Sequence, residues 1–431
     1  MADKLATATR ANGEGGGGGE VAEPAGNPRG GAPGPIGPRR RPRVLFLMLR
    51  SDPKLYGGTR SLLLFLERQR SLDAHVVVAA ASPDDPALAE LEEAGVSHEF
   101  FDASAMLAAR RRRGKVARLR RVALAAWYNL RLLRVIRRVR PEVVHADFEG
   151  MVLVAPAAKL SGRTLVHHVR GLQPGNRIGF AVQAAMAVSD LTVAVSEPLR
   201  DFCVESMSPR LRARVAPRVV GIYNGIRLDH IREHRRTLSR DDARAELGIP
   251  PGQVAVGLVG GIFAMKGQRE FLEQVAPRVA QADPRVHFYL VGGAKDPAYA
   301  EACHAAAAQP ALSGRVRFVG WEDRVWRWYR ALDLVAFPSI VEGFGRVVAE
   351  SQGYGLPVVA SDVVGIRGTL RHEVGGFFAR SADEFAGYLL RLAGDPALRA
   401  RMAAAGEEYV RRFDVDVVTR DLEAVYARLA G

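Results

Sequence analysis

The sequence predicts an α/β protein built as two successive parallel sheets, each covered by helices. Three observations carry this. Continuously apolar runs of strand length recur, such as Val44-Leu45-Phe46-Leu47-Met48-Leu49, as expected of strands buried on both faces. Helical patterns alternate with them, which implies parallel strands joined by crossover helices. The series breaks once, across a polar and charged stretch from Arg227 to Gly252 that ends in Pro250-Pro251-Gly252, and then begins again.

The first series opens at Arg43 with the run just named. A loop from Arg50 to Gly58 follows, then a helical pattern from Thr59 to Arg70, a strand from His75 to Ala80, and a helix from Pro86 to Ala94 closed by Gly95, the usual carboxyl-terminal stop. After a long basic helix come strands at Val143–Ala146, Thr164–Val169 and Leu191–Val195. The second series places strands at Val254–Val259, Val286–Val291, Val316–Phe318, Leu334–Phe337 and Pro357–Ala360, and Asp414–Leu429 reads as a closing helix. Ligands of such sheets bind beyond the carboxyl ends of the strands, so two facing sheets predict a cleft between them. Residues 1–41, rich in Gly, Pro, Ala and Arg, cannot bury enough apolar area to offset ordering and read as a disordered tail.

Composition narrows the function. With 431 residues, 48% hydrophobic and 25% charged, the chain is long enough for two cores. Cys203 and Cys303 are the only cysteines. They make neither a disulfide framework nor a zinc spacing, and a reducing cytoplasm is the natural compartment. No run of about 18 apolar residues is present to span a membrane, and Met1 to Arg41 lacks the apolar core of a signal peptide. The net charge is +14, but Arg110 to Arg140 holds thirteen Arg or Lys and no acid, and without that segment the charge falls to +1. One basic element on a near-neutral protein argues against nucleic acid, whose backbone would need cations wherever the chain tracks it. Within that helix Arg131, Arg134 and Arg138 share a face, with Arg137 beside them; Leu132, Leu133, Val135, Ile136 and Val139 lie opposite. Such an Arg face is either simply solvated or meets an anionic membrane surface.

The stretch with most chemistry runs from Asp333 to Ser361. A strand ends at Pro338-Ser339, a loop carries Glu342, Gly343 and Gly345 flank Phe344, and a helix starting near Gly345 carries Glu350. Glycines allow close approach of the backbone to a ligand, a helix start suits a phosphate, and two carboxylates suit a hydroxyl-rich group.

Pro-Ser, Glu-Gly-Phe-Gly, Glu350 separated from the first Glu by seven residues, and Gly-Leu-Pro-Val-Val-Ala-Ser together resemble the retaining glycosyltransferases of family 4, group 1, which have the GT-B fold of two Rossmann-like domains facing across a cleft. Gly260-Gly261-Ile-Phe-Ala-Met-Lys266-Gly267 is similar to the family's phosphate-binding lysine loop, and Ile222-Tyr223-Asn224-Gly225-Ile226 to its entry into the second domain. Val291-Gly292-Gly293 and Ala194-Val195-Ser196-Glu197 resemble further family segments. The resemblance covers Arg43 to Leu429. It implies an acceptor domain over 42–222, a nucleotide-sugar donor domain over 223–412, and a C-terminal helix, 413–431, packing back toward the first domain. It also implies transfer of a sugar to an acceptor hydroxyl with retention of anomeric configuration, in cell-surface glycan or glycolipid synthesis. Carried over by position, Glu342 contacts the transferred sugar, Glu350 holds the ribose and Lys266 neutralises the leaving diphosphate. Gly57 and Gly58 match a glycine loop facing the same phosphates, and Gly261, Gly292 and Asn224 line the donor site.

Three departures qualify the match. Where the family usually carries Arg after the strand glycine, this chain has Gly261; Arg269 and Arg346 are candidate substitutes. Arg170 stands where the family often has His. An Arg stabilises phosphate or an acceptor oxygen but is no general base near neutral pH. In Val364-Gly365-Ile366-Arg367-Gly368, Arg367 and Gly368 replace the family's Pro and Glu. His145 and His168, at strand ends, read either as acceptor-side cleft residues or as packing. Glu350 and Arg346 also have the spacing of a plain helical ion pair. No Asp-X-Asp pair stands at a strand end, so neither metal nor cofactor is expected. The expected partners are a nucleotide-sugar, a glycan or lipid-linked acceptor, and a membrane surface at the inner face of the cell. Two other classes remain open: an epimerase of nucleotide-sugars, which needs no acceptor, and a non-catalytic membrane- or polyanion-binding protein on a transferase scaffold.

Overall fold

The computed structural model describes residues 40–50, 57–111, 115–146, 155–172 and 178–431. The tail reading therefore concerns residues that, up to 39, lie outside the described ones, as do 51–56 of the loop before Gly57 and 112–114 of the basic segment.

The apolar runs form the predicted strands. Seven pair in the order β3-β2-β1-β4-β5-β6-β7: β1 Arg43–Leu49, β2 Asp73–Ala80, β3 Ser97–Asp102, β4 Val143–Ala146, β5 Thr164–Val169, β6 Leu191–Ala194 and β7 Val219–Gly221. Six more pair as β10-β9-β8-β11-β12-β13: β8 Val254–Val259, β9 Val286–Val291, β10 Val316–Gly320, β11 Leu334–Phe337, β12 Val358–Ser361 and β13 Gly376–Ala379. Every pairing in both sheets is parallel. β1 and β8, central in their sheets, are buried almost throughout because helices cover both faces. Three strands fall outside the sequence expectation. β3, Ser-His-Glu-Phe-Phe-Asp, is an edge strand with only Phe101 buried; β7 has three residues; β13 is four residues entered from a Gly-Gly pair that reads as a turn.

Six helices bear on function: α1 Gly57–Arg68, α2 Lys115–Val139, α3 Leu228–Thr237, α4 Val325–Ala331, α5 Arg346–Gly353 and α6 Val415–Leu429. The basic segment is not one helix. Ser104–Arg111 forms a separate helix before α2.

The two sheets are tied by two adjacent chain crossings. Ile226 donates to the Phe413 carbonyl at 2.8 Å, and Val415 donates back to the Ile226 carbonyl at 3.0 Å. α6 then lies on α1, where Glu423 accepts from the backbone N–H groups of Arg70 and Ser71 at 2.7 and 2.9 Å. At the start of α3, Asp229 pairs with Arg68, and Arg227 pairs with Glu67.

Each sheet reverses its strand order once, between β1 and β4 in the first and between β8 and β11 in the second. Crevices that bind ligands open at such reversals, beyond the carboxyl ends of the strands. The loops that leave β8 and β11 carry Lys266 and Glu342.

Candidate active site

Neighbouring strands bring those two loops together. After β8 the chain makes a short 3-10 turn, Ala264–Lys266, and after β11 it loops through Glu342 into α5. The Lys266 ammonium lies 2.5 Å from Glu342 Oε2, with both side chains about one-fifth exposed. It also sits 5.1 Å from the centre of the Phe337 ring and 6.0 Å from that of Phe263. The pair is wet enough to exchange partners and close enough to hold a cation at the mouth of the crevice.

Glu350, in the second turn of α5, faces a cavity of about 220 Å³ with Gly261, Gly292, Lys295, Trp321 and Tyr329. Arg346 donates from Nε to Glu350 Oε1 at 2.7 Å. The plain helical ion pair is therefore present, and it leaves acceptor capacity on a carboxylate that offers about four lone-pair sites. Gly292 has φ +151°, and a Cβ there would stand 2.1 Å from the Gly260 carbonyl oxygen. The loops after β8 and β9 interlock, and only glycine permits it.

A second group of predicted residues gathers where the sheets meet. Arg170, just after β5, donates to Asn224 Oδ1 at 2.9 Å. Its Cδ stands 2.9 Å from where a Cβ on Gly58 would be, and its carbonyl oxygen 2.2 Å from where a Cβ on Gly343 would be. Ser196 Oγ lies 3.4 Å from the Gly343 carbonyl. Gly57 opens α1, where a Cβ would meet nothing within 4 Å among the described residues, and Gly345 opens α5 at φ +72°. The Glu342 loop is thus pressed against the first sheet through Gly343.

Two of the candidate residues are packing residues. Phe344 is 3% exposed, its ring 5.5 Å from Phe413 and 6.1 Å from Tyr223. Phe344, expected with Gly343 and Gly345 at the donor as part of the family motif, therefore has its ring in the core rather than open to a ligand. His145 has no exposed surface. Its Nδ1 lies 2.8 Å from the Tyr426 hydroxyl on α6 and its Nε2 3.3 Å from His168 Nδ1. His168 borders a small, partly open space of about 20 Å³ beside Arg170 and Asn224, room for a single water.

Neither proposed substitute for the missing cation faces the cavity as an open charge. Arg269 pairs with Glu270 and Glu273, and Arg346 with Glu350. Lys295 lines the cavity beside Gly261. Its Cδ lies 3.5 Å from a Cβ built on Gly261, and its ammonium 4.9 Å from the centre of the Phe263 ring that Lys266 also flanks. Sequence reasoning missed Lys295, although Gly292-Gly293-Ala294-Lys295 repeats the glycine-then-lysine order of the loop after β8. It also missed Trp321 and Tyr329. Arg367 pairs with Asp362 at 2.7 Å. Among the described residues no group of three or more His, Cys, Asp or Glu side chains gathers as a metal site.

Buried histidines set the pH response of the fold. Burial, assisted at His145 and His168 by the Arg170 charge, holds both well below the ordinary range, and burial brings His167 to about 4. The unfolded chain, titrating near 6.5, takes up these protons first. Stability is full above about pH 6.5 and falls on acidification, by roughly 1.4 kcal/mol per pH unit for each such histidine; for His167 the fall continues to about pH 4. Melting temperature is expected to stay level from pH 7.5 to about 6.5 and to drop from there to pH 5; a flat profile throughout contradicts the buried neutral histidines.

Comparison with known proteins agrees with this geometry. The model described as "Glycosyltransferase Family 4" matches residues 56–230, and that described as "Glycosyl transferases group 1" matches residues 253–395. Between them they take in the second sheet with both of the loops just described and, apart from β1, the first sheet. The chain belongs to the family 4, group 1 glycosyltransferases. The chain is 30% identical over 302 residues to the D-inositol 3-phosphate glycosyltransferase of Streptomyces bingchenggensis, 67% of this chain and 62% of that protein. It is 36% identical over 181 residues to the protein of the same name from Nocardia farcinica, 39% of this chain and 40% of that one. The chain thus matches less than two thirds of the length of these relatives. Among solved structures, Anabaena HepE in complex with UDP superposes with a TM-score of 0.72 at 23% identity, covering 90% of this chain and all of that one. A glycosyltransferase from Rickettsia africae gives 0.74 at 14% identity, covering 91% and 99%. These likenesses establish the GT-B fold of two facing Rossmann-like sheets.

Proposed function

We propose that this glycosyltransferase moves a sugar from a nucleoside diphosphate donor to an acceptor hydroxyl with retention of anomeric configuration. The observation that carries the reading is the Lys266–Glu342 pair at the β8/β11 reversal, beside a glycine-lined cavity that holds Glu350 and Lys295. The diphosphate lies between the two lysines and the start of α5. The Lys266 ammonium stabilises the negative charge that grows on the leaving phosphate, a task it performs as a fixed cation without a metal or cofactor. Glu342 orients the hydroxyls of the transferred sugar, and Glu350 those of the ribose. With Arg170 in place of a base, the departing phosphate takes the proton of the acceptor hydroxyl. The acceptor enters from the first sheet, and contact of Gly343 with Arg170 closes the two halves around the donor, limiting hydrolysis by water. UDP in the HepE structure and the inositol phosphate named for the relatives support a nucleotide donor and a polyol acceptor.

The test is incubation with UDP-, GDP-, ADP- and dTDP-sugars, with and without acceptor mixtures. Release of one nucleoside diphosphate only when acceptor is present, with the anomeric configuration of the product unchanged, is expected. Conversion of the donor alone to an epimer overturns the reading, and so does an untouched donor throughout.

The same protein is proposed to work at an anionic membrane surface of the cytoplasm, on a glycan or lipid-linked acceptor in cell-surface glycan or glycolipid synthesis. No helix among the described residues is long and apolar enough to cross a membrane. α2 instead offers an interfacial surface: Val116, Leu119 and Val122 are 82%, 72% and 65% exposed, and Trp127 and Leu130 follow them beside exposed Arg120 and Arg121. The Arg131, Arg134, Arg138 face expected from sequence is partly engaged within the protein. The Arg131 guanidinium lies 4.1 Å from the centre of the Phe101 ring, and Arg138 pairs with Glu99 at 2.6 Å. A helix with apolar and cationic residues both in solvent suits the lipid interface. Binding to vesicles with 30% phosphatidylglycerol is expected to fall roughly tenfold or more in Arg120→Glu/Arg121→Glu, at about 1 kcal/mol per charge, and also in Leu119→Ser/Trp127→Ser. Wild-type flotation indifferent to anionic lipid contradicts it.

A further inference from the structure

We propose that Tyr329 is the positioning residue that fixes the Glu350 carboxylate for the ribose of the donor. The inference rests on the reading of Glu350 as the ribose carboxylate. Tyr329, on α4, is 2% exposed, yet its hydroxyl reaches Glu350 Oε2 at 3.3 Å, on the opposite oxygen from the one Arg346 holds at 2.7 Å. Both residues line the glycine-walled cavity. A Glu carboxylate rotates broadly about its last torsion. Held at one oxygen by a guanidinium and at the other by a phenol, it keeps one orientation, and its two remaining acceptor sites point together at a pair of neighbouring hydroxyls.

The phenol is itself fixed. Its ring stacks on that of Tyr354 with centres 5.0 Å apart and planes 17° from parallel. The Tyr354 hydroxyl lies 2.7 Å from His234 Nδ1 on α3, and the His234 ring stacks on Trp326 at 4.3 Å. This ladder of rings, with the burial of Tyr329, holds its ring in place. Burial, with the neighbouring Glu350 charge, pushes that hydroxyl well above its ordinary pKa, so it stays a donor. Phenylalanine would fill the same space; what the hydroxyl adds is the bond to Glu350. A ready-held carboxylate avoids the ordering cost on binding, so its loss falls on donor affinity rather than on the chemical step.

Calorimetry tests this with whichever of UDP, GDP and ADP binds the wild type, each against its 2′-deoxy counterpart. The wild type is expected to prefer the ribose form by tenfold or more, and Glu350→Gln to lose that preference. Tyr329→Phe is expected to bind the ribose form five- to tenfold more weakly and the deoxy form within twofold of wild type, and to raise the donor KM with kcat nearly unchanged. Tyr354→Phe, which cuts the His234 bond and loosens the ladder, gives a smaller loss of the same ribose-only kind and serves if Tyr329→Phe does not fold. Full ribose preference in both tyrosine variants, alongside its loss in Glu350→Gln, overturns the role of Tyr329 alone. A wild type that binds ribose and deoxy forms equally, or binds none, overturns the reading of Glu350 and the proposal with it.

Discussion

Lys266→Ala is expected to lower kcat by a hundred- to a thousandfold, the range seen when one donor to a developing oxyanion is removed, about 3–4 kcal/mol. The size follows from position. Lys266 stands at the β8/β11 reversal with its ammonium 2.5 Å from Glu342, so the substitution removes a cation from the leaving phosphate and leaves a carboxylate facing it. Nucleoside diphosphate affinity should therefore fall as well, through like-charge repulsion. The double variant Lys266→Ala/Glu342→Gln separates the two effects. It should regain diphosphate affinity relative to the single variant while remaining as slow. Initial rates and calorimetry on the three proteins check this, and a Lys266→Ala enzyme within tenfold of wild-type kcat contradicts the assigned role.

Gly343→Ala is the second large effect. The added Cβ would stand 2.2 Å from the Arg170 carbonyl oxygen and 2.9 Å from its carbon, both backbone atoms that no rotamer change can move. The Glu342 loop must draw away from the first sheet, separating Arg170 and Gly58 from the donor residues. A displacement of this order at a reacting centre costs about 100-fold in kcat/KM. Diphosphate binding, which needs only the second sheet, should stay within threefold of wild type. Equal losses in both would mean that the loop itself, and not its contact with Arg170, had been damaged.

These two residues illustrate what could be read from the chain alone. The crevice loops were legible because their constraints are local. A buried strand demands an apolar run, a helix start beside a ligand demands glycine, and a carboxylate or ammonium at a strand end is conspicuous. Glu342 and Glu350 are noticed for that reason, and it is the resemblance of the surrounding strings to the family that gives them and Lys266 their roles. Phe344 and His145 show that sequence gives no side-chain direction: the Phe344 ring turns into the core against Phe413, and His145, for which cleft and packing were both open, is capped by Tyr426 from a helix 281 positions away. Tyr329 was invisible for the converse reason. Its role depends on which elements the sheet order places side by side, and no spacing within its segment marks it, whereas Lys295 carried a local signal in the glycine-then-lysine order of its loop. The edge strands β3, β7 and β13 are short or polar because one edge has no partner to bury against, so the apolar signal that found the central strands is absent there.

The most direct measurement is a calorimetric titration of the wild type and Glu350→Gln with UDP, GDP, ADP and dTDP. One diphosphate that binds the wild type and is bound at least tenfold more weakly by the variant is the expected result, and it would also name the nucleotide of the donor. No binding by any of the four, or equal binding by both proteins, would contradict a donor site built on the second sheet.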